Sequence, residues 1–102
     1  MATPEQLWRD APGVSYVDRS STITAGGTAQ TLMAANSGRD HAFIGNPNAV
    51  GSLWVNDLGG TAAANGAGST EVPPGSVVTT RARNAISIIH ATTGATFSAG
   101  EA

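Results

Sequence analysis

The sequence predicts an all-β domain: a small β-sandwich or jelly-roll-like β-barrel of about eight short antiparallel strands, with an extended N-terminal arm. Three observations carry this. Short runs rich in Val, Ile and Thr are separated by Gly-, Pro- and Asn-containing turn signals at intervals of about 8–12 residues. No segment beyond the arm repeats its apolar residues at helical spacing. Several of the short runs carry apolar side chains on both faces, which a one-sided sheet has no use for.

Residues 1–20, "MATPEQLWRDAPGVSYVDRS", form the expected arm, and residues 21–102 the β domain. The arm holds Glu5, Arg9, Asp10, Asp18 and Arg19, together with Pro4, Pro12, Trp8 and the only Tyr, Tyr16. Its apolar spacing fits neither a long helix nor a long strand. A helical turn is expected near residues 4–8, with Thr3 as cap and Pro4 in the first position. Trp8 and Tyr16 are the arm's candidate anchors on a neighbouring surface. The alternative is a frayed terminus with one local contact.

The strands then follow in order. "STIT" (21–24) runs into the turn Ala25-Gly26-Gly27, and "TAQTLMA" (28–34) into Asn36-Ser37-Gly38. "DHAFIGN" (40–46) and "SLWVND" (52–57) flank a loop beginning at Pro47 and are expected to form the central hairpin. After a stretch of Gly, Ala, Asn, Thr and Ser comes "STEV" (69–72), then Pro73-Pro74-Gly75, whose order fits a type II turn. "SVVTT" (76–80) and "AISIIHA" (85–91) are β-branched runs. Thr92-Thr93-Gly94 turns the chain into "ATFS" (95–98). Alternation places Ala42 and Ile44 opposite His41 and Phe43, Leu53 and Val55 opposite Trp54 and Asn56, and Ile86 and Ile88 opposite Ser87 and Ile89.

A chain of 102 residues is one domain. It buries only about 60–70% of the surface its unfolded form exposes, and without cysteine it has no disulfide to reinforce a thin core. Oligomerisation or docking on a larger body is the expected source of further stability. Charged residues make up 12% of the chain, and all five cations are Arg. A solvated surface carries about 25%, so either a bias against Lys or coverage by protein is at work. An acidic balance of -2 argues against a nucleic-acid partner. No run approaches a membrane span, and the N-terminus lacks the apolar stretch of a secretory signal, so synthesis in the cytoplasm is expected.

Motifs for chemistry are sparse. "NGAGST" (65–70) contains a G-x-G but lacks the third glycine and the following helix of a phosphate cradle, and reads as a loop. Asp40, His41 and His90 are the only conceivable general-base set, and both histidines read as structural or surface groups, with His90 at an interface. No catalytic residue, cofactor or metal site is expected. Arg81 and Arg83 point the same way on an extended chain and are candidates to grip a carboxylate-bearing partner, a solvated loop being the plainer reading. Trp54 is a core residue, an interface anchor or a sugar-stacking platform.

The segments "ITAGGTAQ", "FIGNP", "LWVNDLGGTA" and "AISIIHATTGATF", spread over residues 23–98, resemble a group of small structural proteins of tailed bacteriophages and prophages. The chain departs from that pattern at Gly100-Glu101-Ala102, where a basic residue and an aromatic are expected. The resemblance implies a virion protein. Its closest functional class is the capsid decoration (cement) protein, which binds the outer surface of a shell built of major capsid protein and stabilises the mature head. A homotrimer on the capsid surface is expected, after synthesis in the host bacterial cytoplasm. Tail, neck or fibre components and a carbohydrate-binding β-sandwich are the alternatives. In this reading the small-residue loop 59–69 lies flat against a neighbouring subunit or the shell.

Overall fold

The computed structural model describes residues 15–102. Among them are β1 (Val17–Asp18), β2 (Ser21–Thr22), β3 (Gln30–Met33), β4 (Ala42–Gly45), β5 (Leu53–Asn56), β6 (Ser69–Val72), β7 (Val77–Thr80), β8 (Ile86–Ile89) and β9 (Thr96–Glu101), with no helix. All pairings are antiparallel, in two sheets: β1-β9-β4-β7, with β2 also on β9, and β3-β8-β5-β6. The fold is the expected all-β sandwich. Each run read as a strand contains one, and the additional strand is β1, in the segment expected to be arm.

β1 and β2 are two halves of one edge strand. Val17 pairs with Glu101, Asp18 with Gly100, Ser21 with Phe97 and Thr22 with Thr96, all in a single register. The ladder is interrupted at Arg19 and Ser20. There the Arg19 N–H donates to the Ala99 carbonyl, and the Ser20 hydroxyl accepts the Ala99 N–H. The part of the arm that the structure describes is therefore joined to the sheet, because β9 offers it a free edge. Trp8 and the turn expected near residues 4–8 lie outside the described residues.

The expected hairpin between residues 40–46 and 52–57 does not form. β4 pairs with β7 and β9, and β5 pairs with β6 and β8, so the two strands belong to opposite sheets. The side chain of Asn46 explains the crossing. Fully enclosed at the end of β4, its Nδ2 donates to the carbonyls of Gly51 and Val72, and its Oδ1 accepts from the Asn48 N–H and side-chain amide. These bonds hold the 46–52 connection across the gap between the sheets instead of folding it flat beside β4.

The alternation read from sequence defines the core. Ala42, Ile44, Leu53, Val55, Ile86 and Ile88 all face inward and are buried, joined by Ile23, Met33, Val72, Phe97 and Ala99. Full burial of each large side chain stabilises the fold by about 1.5–3 kcal/mol. The Pro73-Pro74-Gly75 turn is as expected: the Ser76 N–H donates to the Pro73 carbonyl, and Gly75 takes the positive φ of 77° that a type II turn requires.

A charged cluster closes one end of this core. Arg39 is 0% exposed. Its Nε donates to Glu101 Oε1 at 3.0 Å, Nη1 to the carbonyls of Ala82 and Asn84, and Nη2 to the carbonyl of Ala34. Glu101 also accepts from Asn36 Nδ2 and, at 2.7 Å, from Arg19 Nε. Burial by itself pushes the Glu101 carboxyl up. The hydrogen bonds from Asn36, Arg19 and Arg39, with the charge of Arg39, outweigh that and hold it below the ordinary value of 4.5.

A carboxyl whose folded pKa is depressed adds stability above its unfolded value and loses it as pH falls through the folded one. Glu101→Gln leaves Arg39 buried without its counter-ion. It is expected to cost about 3–5 kcal/mol at neutral pH and to flatten the loss of stability on acidification. Asp18 and Asp40, also held low by hydrogen bonds, keep part of that slope. Urea unfolding of the two proteins from neutral pH to about pH 2 checks this; an unchanged acid slope in the variant would refute the assignment to Glu101.

Candidate functional site

Antiparallel register sorts the connections to two ends of the sandwich. Residues 34–41, 57–68 and 81–85 gather with Ala102 at one end, and residues 23–29, 46–52, 73–76 and 90–95 at the other. Arg81 and Arg83 lie at the first, charged end, and both turn back onto residues 39–40. Arg81 Nη2 stands 3.1 Å from Asp40 Oδ1, and Arg83 Nε donates to the Arg39 carbonyl at 2.9 Å. Asp40 also meets His41 Nδ1 at 3.2 Å. The hydrogen bonds from Arg81 and then His41 hold the Asp40 carboxyl below its ordinary range. The two arginines do point the same way, and what they grip is their own chain, through pairs exposed enough to exchange with a partner's carboxylates.

Tyr16 sits on the outer face of the first sheet. Its ring lies 5.4 Å from that of His41 and 5.9 Å from that of Phe43, both tilted, an arrangement that aromatic quadrupoles favour. Phe43 in turn lies across Gly100, where a Cβ would stand 2.7 Å from the ring. Beside these rings is a depression of about 300 Å³ lined by Tyr16, Val17, Asp18, Phe43, Ser98 and Gly100. The residue that replaces the expected C-terminal basic position is thus explained from inside: Gly100 makes room for Phe43, and Glu101 belongs to the buried ion cluster.

Trp54 occupies the outer face of the second sheet, half-buried, between its strand partners Glu71 and Ile89. It is not a core residue, since Leu53 and Val55 on either side point inward. The structure keeps Trp54 apart from Tyr16, which is on the other sheet, and from the arginines in the 81–85 connection. Of the described residues named from sequence, Tyr16, Arg81 and Arg83 lie around residues 39–41, and Trp54 stands apart from them.

His90 was expected at an interface and is instead enclosed by its own chain, 2% exposed. Its ring packs beneath Gly51, and Nδ1 accepts the Thr92 N–H at 3.0 Å. His41 and His90 lie on opposite ends of β4's sandwich and do not form a pair. Among the described residues no three His, Asp or Glu side chains gather as a metal cage would.

Residues 59–69, expected to form a long exposed loop, are largely exposed, and the 57–68 connection folds over the outer face of its own sheet. Asn56, buried by it, accepts the N–H groups of Leu58 and Gly60. Ser87 of β8 accepts the Ala62 N–H, and Ser69 the Ala63 N–H. The small residues are explained by this cover: a Cβ on Gly60 would stand 2.9 Å from Asn56 Nδ2, and one on Gly68 3.1 Å. Residues that sequence reasoning missed are Arg39, Glu101 and Asn46. Nothing in their local pattern marks them, because Arg39 and Asn46 flank β4 and Glu101 ends β9, places where a polar residue normally meets water.

The chain matches no protein-family model, no curated protein and no solved structure.

Removing the Asn56 side chain strands two loop donors. Asn56→Ala is expected to cost about 1–3 kcal/mol. It should raise amide hydrogen exchange at Leu58 and Gly60 well above that of β4 and β9. Exchange that rises equally across both sheets would show that Asn56 supports the sandwich as a whole and not the loop.

Proposed function

We propose that this chain is a structural protein of a bacteriophage virion that decorates the outer capsid surface as a homo-oligomer, expected to be a trimer, bound to major capsid protein. Its work is binding, not catalysis. One observation carries the reading: the enclosed side chains able to do chemistry are spent on holding the fold, and the exposed ones pair with their own chain. Arg39 and Glu101 close the core, His90 is enclosed beneath Gly51, Asp40 is engaged by Arg81 and His41, and Asp57 accepts the Thr80 hydroxyl. What faces outward is rich in Ser, Thr, Gly, Ala and Pro, with Arg19, Asp40, Glu71, Arg81 and Arg83 among them, a surface suited to lying against another protein.

The sequence resemblance supports the same reading, and the structure explains which residues carry it. The Gly-Gly of "ITAGGTAQ" forms a closed turn, the Asn of "FIGNP" is the buried Asn46, and the Asn of "LWVN" is Asn56 under its loop. These residues specify the scaffold. A scaffold whose polar groups are turned inward gains stability from a lattice that covers it, and adding contacts present only in the mature shell stabilises that shell in return.

Quantitative mass spectrometry of purified particles from the source phage or induced prophage tests this. A copy number comparable to that of the major capsid protein is expected. A small fraction of that number would move the chain to the neck, tail or a fibre, and absence from the particle would overturn the reading.

A further inference from the structure

The 57–68 connection carries a chemically reactive pair. Among the described residues Asn65 is the only one besides glycines with a positive φ, 57°. Asparagine is one of the few side chains that tolerate that conformation. The residue after it must be glycine for a separate reason. A Cβ on Gly66 would stand 2.6 Å from Ala63 Cβ and 3.1 Å from the Ala63 carbonyl oxygen. The turn 63–66 therefore selects Asn-Gly on two steric grounds. In that dipeptide the side-chain amide is most open to attack by the next backbone nitrogen, because glycine has no side chain to shield it.

The other five asparagines lack this combination. Asn46 precedes Pro47, whose nitrogen carries no hydrogen to lose. Asn36, Asn48 and Asn56 are held through Oδ1, which accepts the N–H groups of Gly38, Thr96 and Leu58 respectively. Asn84 precedes Ala85, whose side chain shields the nitrogen. Asn65 is exposed, and its side chain makes no hydrogen bond among the described residues.

What holds the pair unreacted is the turn itself. The Gly66 N–H donates to the Ala63 carbonyl at 2.9 Å, and the Gly66 carbonyl accepts the Ser69 N–H. A nitrogen whose proton is engaged in this way is a poor nucleophile, so reaction waits for the turn to open. The loop is tied down by the Leu58 and Gly60 N–H groups on Asn56, by Ala62 on Ser87 and by Ala63 on Ser69. A segment held by a few bonds at an exposed site opens locally at less cost than global unfolding.

We propose that Asn65–Gly66 is a site of spontaneous deamidation, gated by opening of the 63–66 turn, and that the product keeps the loop open. The inference does not depend on what the chain binds. On opening, the Gly66 nitrogen gives its proton to solvent hydroxide and attacks Asn65 Cγ. A C–N bond forms, the Cγ–Nδ2 bond breaks, and the amide nitrogen takes a proton from water and leaves as ammonia. Water then opens the succinimide ring at either carbonyl, giving aspartate or isoaspartate at position 65; nothing is oxidised or reduced. Both products add a negative charge to a chain of net charge -2. Isoaspartate also inserts a methylene into the main chain. The turn has no room for even a Cβ at Gly66, so it does not reclose around the longer backbone, and the cover over Asn56 and Ser87 does not re-form.

The test is incubation of the whole folded chain at mildly alkaline pH. Peptide mass mapping locates the product, and isoaspartate-specific enzymatic methylation identifies it. The expected result is product at position 65 ahead of the other five asparagines. Asn56→Ala, which removes the acceptor of two loop donors, should speed it about five-fold or more. Should circular dichroism show that Asn56→Ala does not keep its fold, Ser87→Ala, which removes the Ala62 acceptor, takes its place. Amide exchange at Gly60 and Ala62 should rise in the aged chain and stay unchanged in equally aged Asn65→Gly, which keeps the positive φ without the amide. No product at position 65, or faster product at another asparagine, overturns the site. Equal rates with and without the loop ties overturn the gate. Unaltered exchange at Gly60 and Ala62 in the aged chain overturns the claim that the product holds the loop open.

Discussion

The buried pair of Arg39 and Glu101 is the constraint on which the rest of the sandwich depends. A guanidinium at 0% exposure is tolerated only when it is paired and its donors are spent. Meeting that requirement brings together the 34–41 connection, the 81–85 connection and the end of β9. Arg19 adds the edge strand to the same carboxylate. Segments far apart in sequence thus share one electrostatic centre. An apolar residue of similar volume at position 39 would fill the space, but it would leave the carbonyls of Ala34, Ala82 and Asn84 without their donor.

The other end meets the same need by neutral means. Asn46 follows β4 as Arg39 precedes it, and its amide bonds to Gly51, Val72 and Asn48 close the core without a charge. β4 therefore runs between an ionic closure and an amide closure. This asymmetry explains the distribution of surface charge better than composition does. Once Arg39 and Glu101 are drawn to one end, the nearby Asp40 and Arg81 pair there and Arg83 bonds the Arg39 carbonyl, and among the described residues the connections of the amide-closed end carry no ion. The low charge that the sequence displays is thus localised, not spread evenly.

Much of this was legible in advance, and for physical reasons. Strand alternation reports which side chains leave water, so Ala42, Ile44, Leu53, Val55, Ile86 and Ile88 were readable as core. Turn chemistry is equally local, which is why Pro73-Pro74-Gly75 held. The hairpin between residues 40–46 and 52–57 failed because sequential neighbours with Pro47 between them resemble a hairpin whether they pair or cross between sheets. Only the Asn46 side chain separates the two outcomes, through bonds to residues 51 and 72. Of the candidate site, alternation set Trp54 opposite Leu53 and Val55 but left core, interface anchor and sugar platform all open for it, and Tyr16 was readable only as an aromatic of the arm. The enclosure of His90 and the covering of Asn56 were not, because both depend on loops that lie over them.

The loop 57–68 shows how this economy works in a small protein. Its glycines and alanines bury little apolar surface, so they cannot stabilise the fold by the hydrophobic effect. They do allow the chain to lie close over Asn56 and Ser87, satisfying backbone donors with side-chain acceptors at almost no volume. A thin core supplemented by enclosed polar groups is stable only if each of those groups is paired. His90 Nε2, buried beneath Gly51 without a hydrogen-bond partner, breaks that rule. The hydrogen bonds met by Arg39, Asn46 and Asn56 offset the cost of this unmet donor, about 1–3 kcal/mol.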